Sequence, residues 1–579
     1  MFKNLLVTFL FALLCSLPVM AELRLSVSHQ GLGKVGLYDK YHAEFISSGE
    51  DFHNPFDSQE IELNALFSSP NGAAISLPMF FLQAHDTNVR WGLNFSPRQL
   101  GIYSYVVQMK HQGKVYLSAP IKFVSIPSNK TGFLHQDDNQ GSWVFDSGER
   151  FRGVGLNIAW EARLSIGDDP KHDYAYLLSK MKENKINLVR TWINAPWNIP
   201  LEWQQPNFGR YKAYNGIGLH PQAIARFDYL INHAEKNQVN LMLTMDYHGS
   251  LWSKDFDKWG NDHWKNHAYN VKNGGPAATP AEFFTHPKAI SRYQDRLRYI
   301  IARWGYSTRI AAIEFWNEID NAVFKEGQNI PEQAVSQWHQ TMSDYLTQID
   351  PYQHIQTTSI SHHEIDGLFD IAGLDFTQSH LYGRTSIEME QFVENFSTRY
   401  KKGYVVGETA IGWDGVNNRI EEYALALHEN LWVLMFNKTP ILPMTWWWEA
   451  YDKNNKFFHL KHAANFIFEL TGTDDLYSNH NQVSVSNGAM HRALYSGSSQ
   501  YVWVKNTTKQ SKDIKITITS SSGNLLTGSY KIALFDTWTG KTTQLSPISA
   551  NVKQDNSAVI SVEIKELAGE RDKVVILTK

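Results

Sequence analysis

A mostly apolar segment, Ile310–Trp316, ends in the polar pair Asn317–Glu318. A continuous apolar run of this length, with β-branched residues, is typical of a strand buried in a parallel sheet. In (β/α)8 barrels the carboxyl ends of such strands carry the functional groups. A second short apolar segment, Tyr404–Gly407, leads in the same way into Glu408. Either glutamate alone could simply cap the next helix, but together they predict two carboxylates on one rim.

The region 131–471 alternates apolar strand segments with amphipathic helical segments. The strands are predicted at 152–157, 187–192, 239–245, 310–316, 354–360, 375–379, 404–408 and 441–448. Helices are predicted at 172–184, 221–237, 287–304 and 457–470, and the second of these begins with a proline, as helix entries favour. Eight such alternations predict a TIM barrel, and the polar insertion 250–285 is predicted to form one wall of its working face.

Residues 22–130 and 472–579 lack this alternation. Short alternating segments separated by Gly, Asn and Ser turns predict a β-sandwich in each region, of immunoglobulin type at the N-terminal side. The predicted fold is therefore multidomain α/β, with a central (β/α)8 barrel flanked by two β-sandwich domains. Gly31–Gly36 matches the pattern GxGxxG, but no helical pattern follows it. We interpret this motif as a loop between strands, because nucleotide binding needs a strand–turn–helix context.

Residues 1–21 have the features of a secretory signal peptide. Lys3 precedes the apolar run Leu5–Leu17, and the small residue Ala21 precedes the predicted cleavage point. The single cysteine, Cys15, lies in this segment, so the mature chain is predicted to contain no disulfide; lipid attachment at Cys15 is the alternative. No later segment is long and apolar enough to span a membrane. The prediction is a secreted or periplasmic protein with no membrane contact after cleavage.

Composition limits the classes of partner. The 54 basic and 58 acidic residues give a net charge of −4 without a block of like charge, which argues against nucleic acid as a partner. Aromatic residues make up 13% of the chain, including 19 tryptophans; large cores account for most of them, and the clustering of tryptophan also favours a sugar-binding cleft with exposed rings. No cofactor is predicted. The predicted partner is a polysaccharide or oligosaccharide, and the oligomeric state is left open.

Polar or aromatic residues lie at nearly every predicted strand end. They are Asn157 and Trp160, Arg190 and Trp192, His248, Asn317 and Glu318, His362 and His363, His380 and Tyr382, Glu408, and Trp446–Trp448. Two carboxylates across an aromatic cleft fit retaining glycoside hydrolysis, in which their carboxyl groups lie about 5–5.5 Å apart. A cation should keep the nucleophile ionised, and Arg190 is the candidate. Asn317 is suited to a hydrogen bond with the sugar 2-hydroxyl, Tyr382 could donate to Glu408, and His380 could shape the same cleft.

These residues resemble those of the clan A glycoside hydrolases, nearest to the cellulase-like family 5. The resemblance covers about residues 150–470. It implies that Glu318 is the acid/base and Glu408 the nucleophile, with Arg190, Asn317, His248, Tyr382 and a strand-eight tryptophan in support. The segments 270–289 and 297–320 also resemble a bacterial subgroup of cellulase-like proteins that carry an N-terminal β-sandwich. Strand alternation places Trp446 and Trp448 on one side, and Trp448 is predicted to line the cleft together with Trp160.

Several alternatives stay open. A metal site at His362-His363-Glu364 is disfavoured, because adjacent residues of an extended segment point in opposite directions, and no metal is predicted. A protein that binds glycan without turning it over is the alternative from another class. Transglycosylation would use the same residues as hydrolysis. The predicted action is internal cleavage of a β-linked polysaccharide, with an exo-acting β-glycosidase as the alternative, and glucan, mannan, galactan and sulfated polymers are not distinguished.

Overall fold

The computed structural model describes residues 23–138, 140–164, 167–204, 210–253, 263–325, 327, 329–470, 481–496, 499–520, 528–552 and 558–579. The predicted signal peptide, part of the 250–285 insertion and the predicted boundary at residue 472 lie outside these residues. Within them, no helix has the length and apolar character needed to cross a membrane.

The N-terminal region is built from two sheets whose strands pair antiparallel, except for the parallel pair β2 and β10. Its strands are β1 Arg24–His29, β2 Lys34–Gly36, β3 Tyr41–Ser48, β4 Ile61–Ser68, β5 Ala74–Pro78, β6 Phe80–His85, β7 Asn88–Phe95, β8 Gly101–His111, β9 Lys114–Leu117 and β10 Ile121–Ile126. One sheet has the order β1-β3-β7-β6, and the other has the order β2-β10-β8-β4-β5, with β9 paired to β8. Strand β3 alternates buried and half-buried residues along its whole length, as expected when one face covers a core.

A small three-stranded sheet follows, which the sequence did not predict. It consists of β11 Leu134–Gln136, β12 Trp143–Phe145 and β13 Arg150–Phe151. Trp143 and Phe151 belong to an apolar cluster that also contains Leu188, Met242 and Ala312 from the next region of the chain. The small sheet therefore packs against the amino-terminal part of the parallel strands and contributes to their core.

The central region alternates parallel strands with helices. Its strands are β14 Gly155–Asn157, β15 Leu188–Trp192, β16 Asn240–Tyr247, β17 Ile310–Asn317, β18 Ile355–Thr357, β19 Ser359–Ile360, β20 Phe376–Tyr382 and β21 Gly403–Ala410. Its α-helices are α1 Tyr174–Glu183, α2 Pro221–Asn237, α3 His263–Asn266, α4 Pro280–Thr285, α5 Pro287–Trp304, α6 Asp320–Val323, α7 Glu332–Ile349, α8 Ser386–Tyr400, α9 Ile420–Met435, α10 Trp448–Lys453 and α11 Phe458–Leu470. This pattern agrees with the predicted alternation.

The parallel strands pair in chain order and return to the first one. Strands β14 to β18 form one sheet, and β19 to β21 form another. The backbone N–H of Ile319, after β17, donates to the carbonyl of Ser359 in β19 and so links the two sheets. Thr445 forms parallel bridges to Leu156 in the first strand, β14, and to Thr409 in the last strand, β21. The carboxyl ends of all these strands therefore meet at one rim.

Two predicted strands differ from the structure. The predicted fifth strand, 354–360, is divided into β18 and β19. The predicted eighth strand, 441–448, is wrong as a continuous strand: only isolated bridges at Ile441 and Thr445 join it to its neighbours, and helix α10 begins at Trp448. Side chains alternate between two faces only along a strand. Because a helix begins at Trp448, strand alternation no longer predicts that this side chain lines the cleft.

The C-terminal region contains two further antiparallel sheets. Their strands are β22 Asn481–Val485, β23 Met490–Ser496, β24 Ser499–Lys505, β25 Lys512–Ser520, β26 Ser529–Asp536, β27 Lys541–Ser549, β28 Asn551–Val552, β29 Ala558–Leu567 and β30 Asp572–Thr578. The sheet orders are β22-β25-β29-β28 and β23-β24-β30-β26-β27. Ile516, Ile560 and Val575 are among the residues of the apolar core between them.

Both antiparallel regions are bound to the central helices by specific contacts. On the N-terminal side Asn94 donates to the carbonyl of Arg303 at the end of α5, over 2.6 Å. On the C-terminal side a ring nitrogen of His428 on α9 lies 2.9 Å from a carboxylate oxygen of Asp572 on β30. Trp432 on the same helix packs against Phe535, with ring centroids 5.7 Å apart. The three regions are thus packed together rather than joined by extended linkers.

Candidate active site

Glu318 lies immediately after strand β17, where the chain leaves the sheet. Its backbone φ is +49°, in the left-handed region that residues other than glycine seldom occupy. The backbone N–H of Glu318 donates to the hydroxyl of Ser359 over 3.0 Å, and Asn321 donates to its Oε2 over 2.9 Å. These contacts hold the strained backbone and aim the carboxylate over the rim, as often occurs at functional sites.

Glu408 lies within strand β21, almost opposite Glu318. Its Oε1 accepts from Arg190 Nη1 over 2.6 Å, and its Oε2 accepts from the hydroxyl of Tyr382 over 2.7 Å. Its side chain is 5% exposed and that of Arg190 is fully buried, so both bonds form away from bulk water. The predicted contacts of Arg190 and Tyr382 with this carboxylate are therefore present.

His380 lies between the two carboxylates. Its Nδ1 is 2.8 Å from Glu318 Oε1 and 3.4 Å from Glu408 Oε1. One ligand atom from each of the three residues lies within 4.8 Å of the others, an arrangement that could also hold a cation. The short Nδ1 contact is that of a ring N–H donating to a carboxylate, and burial lowers the pKa of His380 to about 4. A neutral imidazole that donates to the carboxylates accounts for the arrangement.

Glu314, which was not among the predicted site residues, lies inside strand β17 and is fully buried. It binds Arg190 in a two-bond fork, with Nε donating to Oε2 over 2.6 Å and Nη2 donating to Oε1 over 2.7 Å. Thr244 donates to the same carboxylate over 2.9 Å. Burial alone would raise the pKa of Glu314, but Arg190 holds it below its usual range. In the sequence, Glu314 could have been recognised as a single acid inside an otherwise apolar strand, because a buried charge needs a partner.

Asn317, Asn157 and His248 complete the shell of polar groups. Arg190 donates to Asn317 Oδ1 over 2.7 Å and to Asn157 Oδ1 over 2.9 Å. Asn317 Nδ2 is 3.2 Å from His248 Nδ1, which lies 3.6 Å from Glu318 Oε2. Because its oxygen is engaged by Arg190, Asn317 presents its NH2 group on the side of the cleft.

Both carboxyl groups have raised pKa values because burial disfavours their charged forms. At Glu408 the neighbouring Arg190 and Tyr382 oppose this shift by stabilising the carboxylate. Glu318 accepts no bond from Arg190, and its negative neighbour Asp320 adds to the upward shift. When the pair holds one proton, the direct bond from a guanidinium keeps Glu408 ionised and leaves the proton on Glu318.

The carboxylates open onto a cavity of about 450 Å³. Tryptophan and tyrosine residues that line it are Trp160, Trp192, Trp197, Tyr247, Trp252, Tyr382, Trp413 and Trp446. Trp160 thus lines the cleft as predicted. The prediction for Trp448 is wrong: this side chain is 1% exposed, starts helix α10 and packs behind Trp446 with ring centroids 5.5 Å apart. Trp446 is the strand-eight residue that faces the cavity.

The histidine pair beyond β19 has a structural contact of its own. The backbone N–H groups of Ser361, His362 and His363 all donate to the carboxylate of Asp320, over 2.7–3.0 Å. His362 reaches the rim of the cleft, whereas His363 packs against Phe324 with ring centroids 5.1 Å apart. Among the described residues these histidines do not belong to a group with metal-ligand spacing.

The described part of the 250–285 insertion contributes one side chain to the cleft. In its described part, Trp252 lines the cavity, while Trp264, Tyr269 and Phe283 are buried in the core. Trp252 contacts the chain after β17, because its indole N–H donates to the carbonyl of Asn321 over 3.2 Å. Trp259, also expected in this wall, lies outside the described residues.

Known proteins match the chain mainly in structure. Residues 34–110 match a family described as a domain of unknown function, DUF5060, and no curated protein matches the sequence. A crystal structure of a candidate glycoside hydrolase from Bacteroides vulgatus aligns with 94% of this chain and 100% of its own. Its identity is 14% and its TM-score is 0.64. The chain has a glycoside hydrolase fold.

Two further structures support this likeness. A family 5 glycoside hydrolase of Bacteroides vulgatus covers 78% of this chain and 94% of its own, at 12% identity and a TM-score of 0.51. Another structure, described as a glycoside hydrolase, covers 78% and 97% at 12% identity and a TM-score of 0.52. At these identities the likeness concerns the fold, and the chemistry has to be argued from the site.

Proposed function

We propose that the protein is a retaining glycoside hydrolase that cleaves a β-linked polysaccharide internally by double displacement. The observation that carries the proposal is the pair Glu318 and Glu408. They lie at the ends of two parallel strands, with oxygens close enough to contact one imidazole, in a cavity lined by tryptophan. Retaining enzymes need closely spaced carboxyls because one of them must reach the anomeric carbon directly.

In the first step Glu408 attacks the anomeric carbon, and the bond from that carbon to the leaving oxygen breaks. Glu318 gives its proton to this oxygen as the bond breaks. Arg190 and Tyr382 keep Glu408 charged and oriented before the attack. In the second step a water attacks the same carbon, Glu318 takes the proton of the water, and Glu408 is released as a carboxylate.

Asn317 and His380 support this chemistry from fixed positions. Arg190 orients the amide of Asn317, so its NH2 group can donate to the sugar 2-hydroxyl, a bond that strengthens in the transition state. His380 is neutral near pH 7 and donates between the carboxylates, and it therefore fixes their orientation without adding a charge. Asn317 is also among the supporting residues that the resemblance to clan A implies.

We also propose the domain organisation predicted from the sequence. It consists of a signal peptide at 1–21, a sandwich at 22–130, a (β/α)8 barrel at 131–471 and a second sandwich at 472–579. The closed run of parallel strands and the antiparallel sheets on either side support it. Under this proposal the protein is exported and acts on glycan outside the cytoplasm.

The test compares the chain from Glu22 with its Glu408→Ala and Glu318→Ala variants. Each is incubated with β-glucan, mannan, xylan, galactan and sulfated galactan, and new reducing ends and product sizes are followed. We expect oligosaccharides of mixed size from the wild type and none from Glu408→Ala, and proton NMR should first detect the retained β-anomer. Glu183→Ala, which changes an exposed glutamate paired with Lys180, is the matched control.

Azide gives the second readout. It can attack the anomeric carbon in place of Glu408, so azide should restore cleavage to Glu408→Ala and yield the glycosyl azide of inverted configuration. For Glu318→Ala, azide should rescue the second step and yield the retained azide. Release of reducing ends by Glu408→Ala without azide would refute its assignment as the nucleophile, and a first product of inverted configuration from the wild type would refute double displacement.

A further inference from the structure

One end of the cleft carries a cation at a defined place. Lys325, in the chain after α6, lines the cavity together with Trp252, Asn321 and His362. Its ammonium nitrogen lies 4.7 Å from the centre of the Trp252 ring, which is the geometry of a cation–π contact. Trp252 is in turn bound to the carbonyl of Asn321, so the ring that holds the ammonium is fixed to the segment that leads to Lys325. We name these four residues the basic rim.

The basic rim lies on the leaving-group side of the scissile bond, given the proposed roles of the carboxylates. Glu318 must reach the leaving oxygen, and Asn321 donates to Glu318 Oε2 over 2.9 Å. His248 Nδ1 lies 3.6 Å from the same oxygen. Burial lowers the pKa of His248, and the positive charge of Lys325 adds to this shift, so Lys325 acts at the acid end of the cleft. The leaving sugar therefore extends past Asn321 towards Lys325.

The acids that line the cavity do not offset this cation. Among the described lining residues they are Glu318 and Glu408. Glu408 is paired with a buried guanidinium, and in the proposed mechanism Glu318 holds a proton before the first step. Asp320, just before Asn321, is buried, and its carboxylate accepts three backbone N–H groups. The leaving sugar thus meets a cationic group without a catalytic carboxylate bound to it.

An ammonium at this place suits an anionic substituent better than a hydroxyl. It has three N–H donors and no acceptor, so Lys325 can bind an anion and keep its other contacts. A hydrogen bond from a charged donor to a charged acceptor is roughly twice as strong as one between neutral groups. A neutral sugar that covered the ammonium would remove water from it without supplying a counter-charge, which is unfavourable. Carboxylates and sulfate esters are the anionic groups that fit this chemistry.

We propose that the basic rim selects a substrate whose leaving-group sugar carries a carboxylate or a sulfate ester, and that Lys325 determines this specificity. Lys325 donates to the anion, the imidazole of His362 adds a second donor, and Trp252 keeps the ammonium in place. The proposal rests on the proposed function for the direction of the glycan. It deepens that function by assigning an anionic glycan as the substrate class.

The first test measures binding, so it does not depend on turnover. The full chain from Glu22 carries Glu408→Ala, and isothermal titration gives the Kd of two matched pairs of oligosaccharides. One pair is a sulfated galactan oligosaccharide and its desulfated form. The other is a xylan oligosaccharide substituted with glucuronic acid and its carboxyl-reduced form. We expect at least one anionic probe to bind at least tenfold more tightly than its neutral form, and the pair that shows this difference distinguishes sulfate from carboxylate.

Lys325→Met is the sharpest variant because it keeps the unbranched side chain and removes the charge. It should raise the Kd of the anionic probe about tenfold, the effect of one lost hydrogen bond to a charged group, and leave that of the neutral form unchanged. Lys325→Arg keeps the charge and should retain the preference. The matched control is Lys171→Met, since Lys171 lies 5.6 Å from the centre of the Tyr176 ring and does not line the cleft. It should leave every Kd unchanged, and thermal unfolding midpoints show whether each variant is folded.

Turnover in H2 18O tests on which side of the scissile bond the anion is bound. In double displacement the oxygen of the attacking water joins the anomeric carbon of the glycone, so only that product carries the label. The anionic sugar should therefore be the first unit of the unlabelled product, which tandem mass spectrometry identifies. An anionic sugar found only at the labelled end would refute its placement on the leaving-group side.

Three binding results would overturn the proposal: no anionic probe binds at millimolar concentration, both neutral forms bind as tightly as their anionic partners, or folded Lys325→Met keeps the preference of the parent. Failure of the proposed function gives a different result. If the wild type releases no reducing ends while an anionic probe binds and Lys325→Met weakens it, the anion site stands and hydrolysis is refuted.

Discussion

Tyr382→Phe tests how the protein keeps Glu408, the proposed nucleophile, ionised. The hydroxyl of Tyr382 donates to Glu408 Oε2 over 2.7 Å, and the change removes this bond while keeping the ring. A hydrogen bond to a charged group contributes about 1.5–3 kcal/mol, and one pKa unit corresponds to about 1.4 kcal/mol. Because the bond stabilises the carboxylate, its loss should raise the pKa of Glu408 by about one to two units.

The assay is the pH dependence of kcat/KM on the glycan that the wild type cleaves. Glu408 must be ionised to attack, so activity is present above its pKa and lost as the pH falls through it. The acidic limb of the profile should therefore move upward by about one to two pH units in Tyr382→Phe. Tyr404→Phe is the matched control, since Tyr404 lies on β21, the strand of Glu408, and bonds Ser379 instead of the carboxylate. An acidic limb that stays in place or moves downward would refute the role assigned to Tyr382.

Three other changes test the buried charges. Glu314→Gln should lower the free energy of unfolding by about 3–5 kcal/mol, because it removes the charge that binds the buried Arg190, and urea denaturation measures this loss. His380→Ala should lower kcat/KM by a similar factor at every pH from 5 to 8, since His380 has a pKa of about 4; a loss confined to one end of that range would contradict a neutral donor. Asp572→Asn should lower the thermal unfolding midpoint at pH 7. Burial alone would raise the pKa of this acid, but the bond from His428 holds it below its usual range. The difference from wild type should therefore begin to shrink as the pH falls below about 4 and disappear once the pH lies below this lowered pKa. If the unfolding midpoints of Asp572→Asn and wild type still differ at low pH, the packing of Asp572 and not its charge stabilises this contact.

The positions of Glu318 and Glu408 could be predicted because a buried strand and its polar end leave a plain pattern in the sequence. The pattern also identifies which strands end at one rim, and that is how Arg190 and Tyr382 were placed near Glu408. Distances and donors could not be predicted, since they depend on how the strands tilt and pair. The fork between Arg190 and Glu314 is an example, as its two residues are 124 positions apart.

Trp448 shows where a prediction from strand periodicity fails. Alternation assumes that a strand continues, but helix α10 begins at Trp448 and turns that side chain into the core. The backbone conformation of Trp446–Trp448 follows from packing against Trp160 and its neighbours, contacts between residues that are nearly 300 positions apart. The small sheet β11–β13 was missed for a related reason: its strands have two or three residues each, too few to show a period.

The contact between His428 and Asp572 bears on how the chain folds during its synthesis. These partners are 144 residues apart in the sequence, and Trp432 on the same helix packs under Phe535. At a translation rate of about 5–20 residues per second, the face of α9 therefore stays uncovered for roughly 7–30 s after it is made. The central region must pass this interval with an apolar helix face exposed.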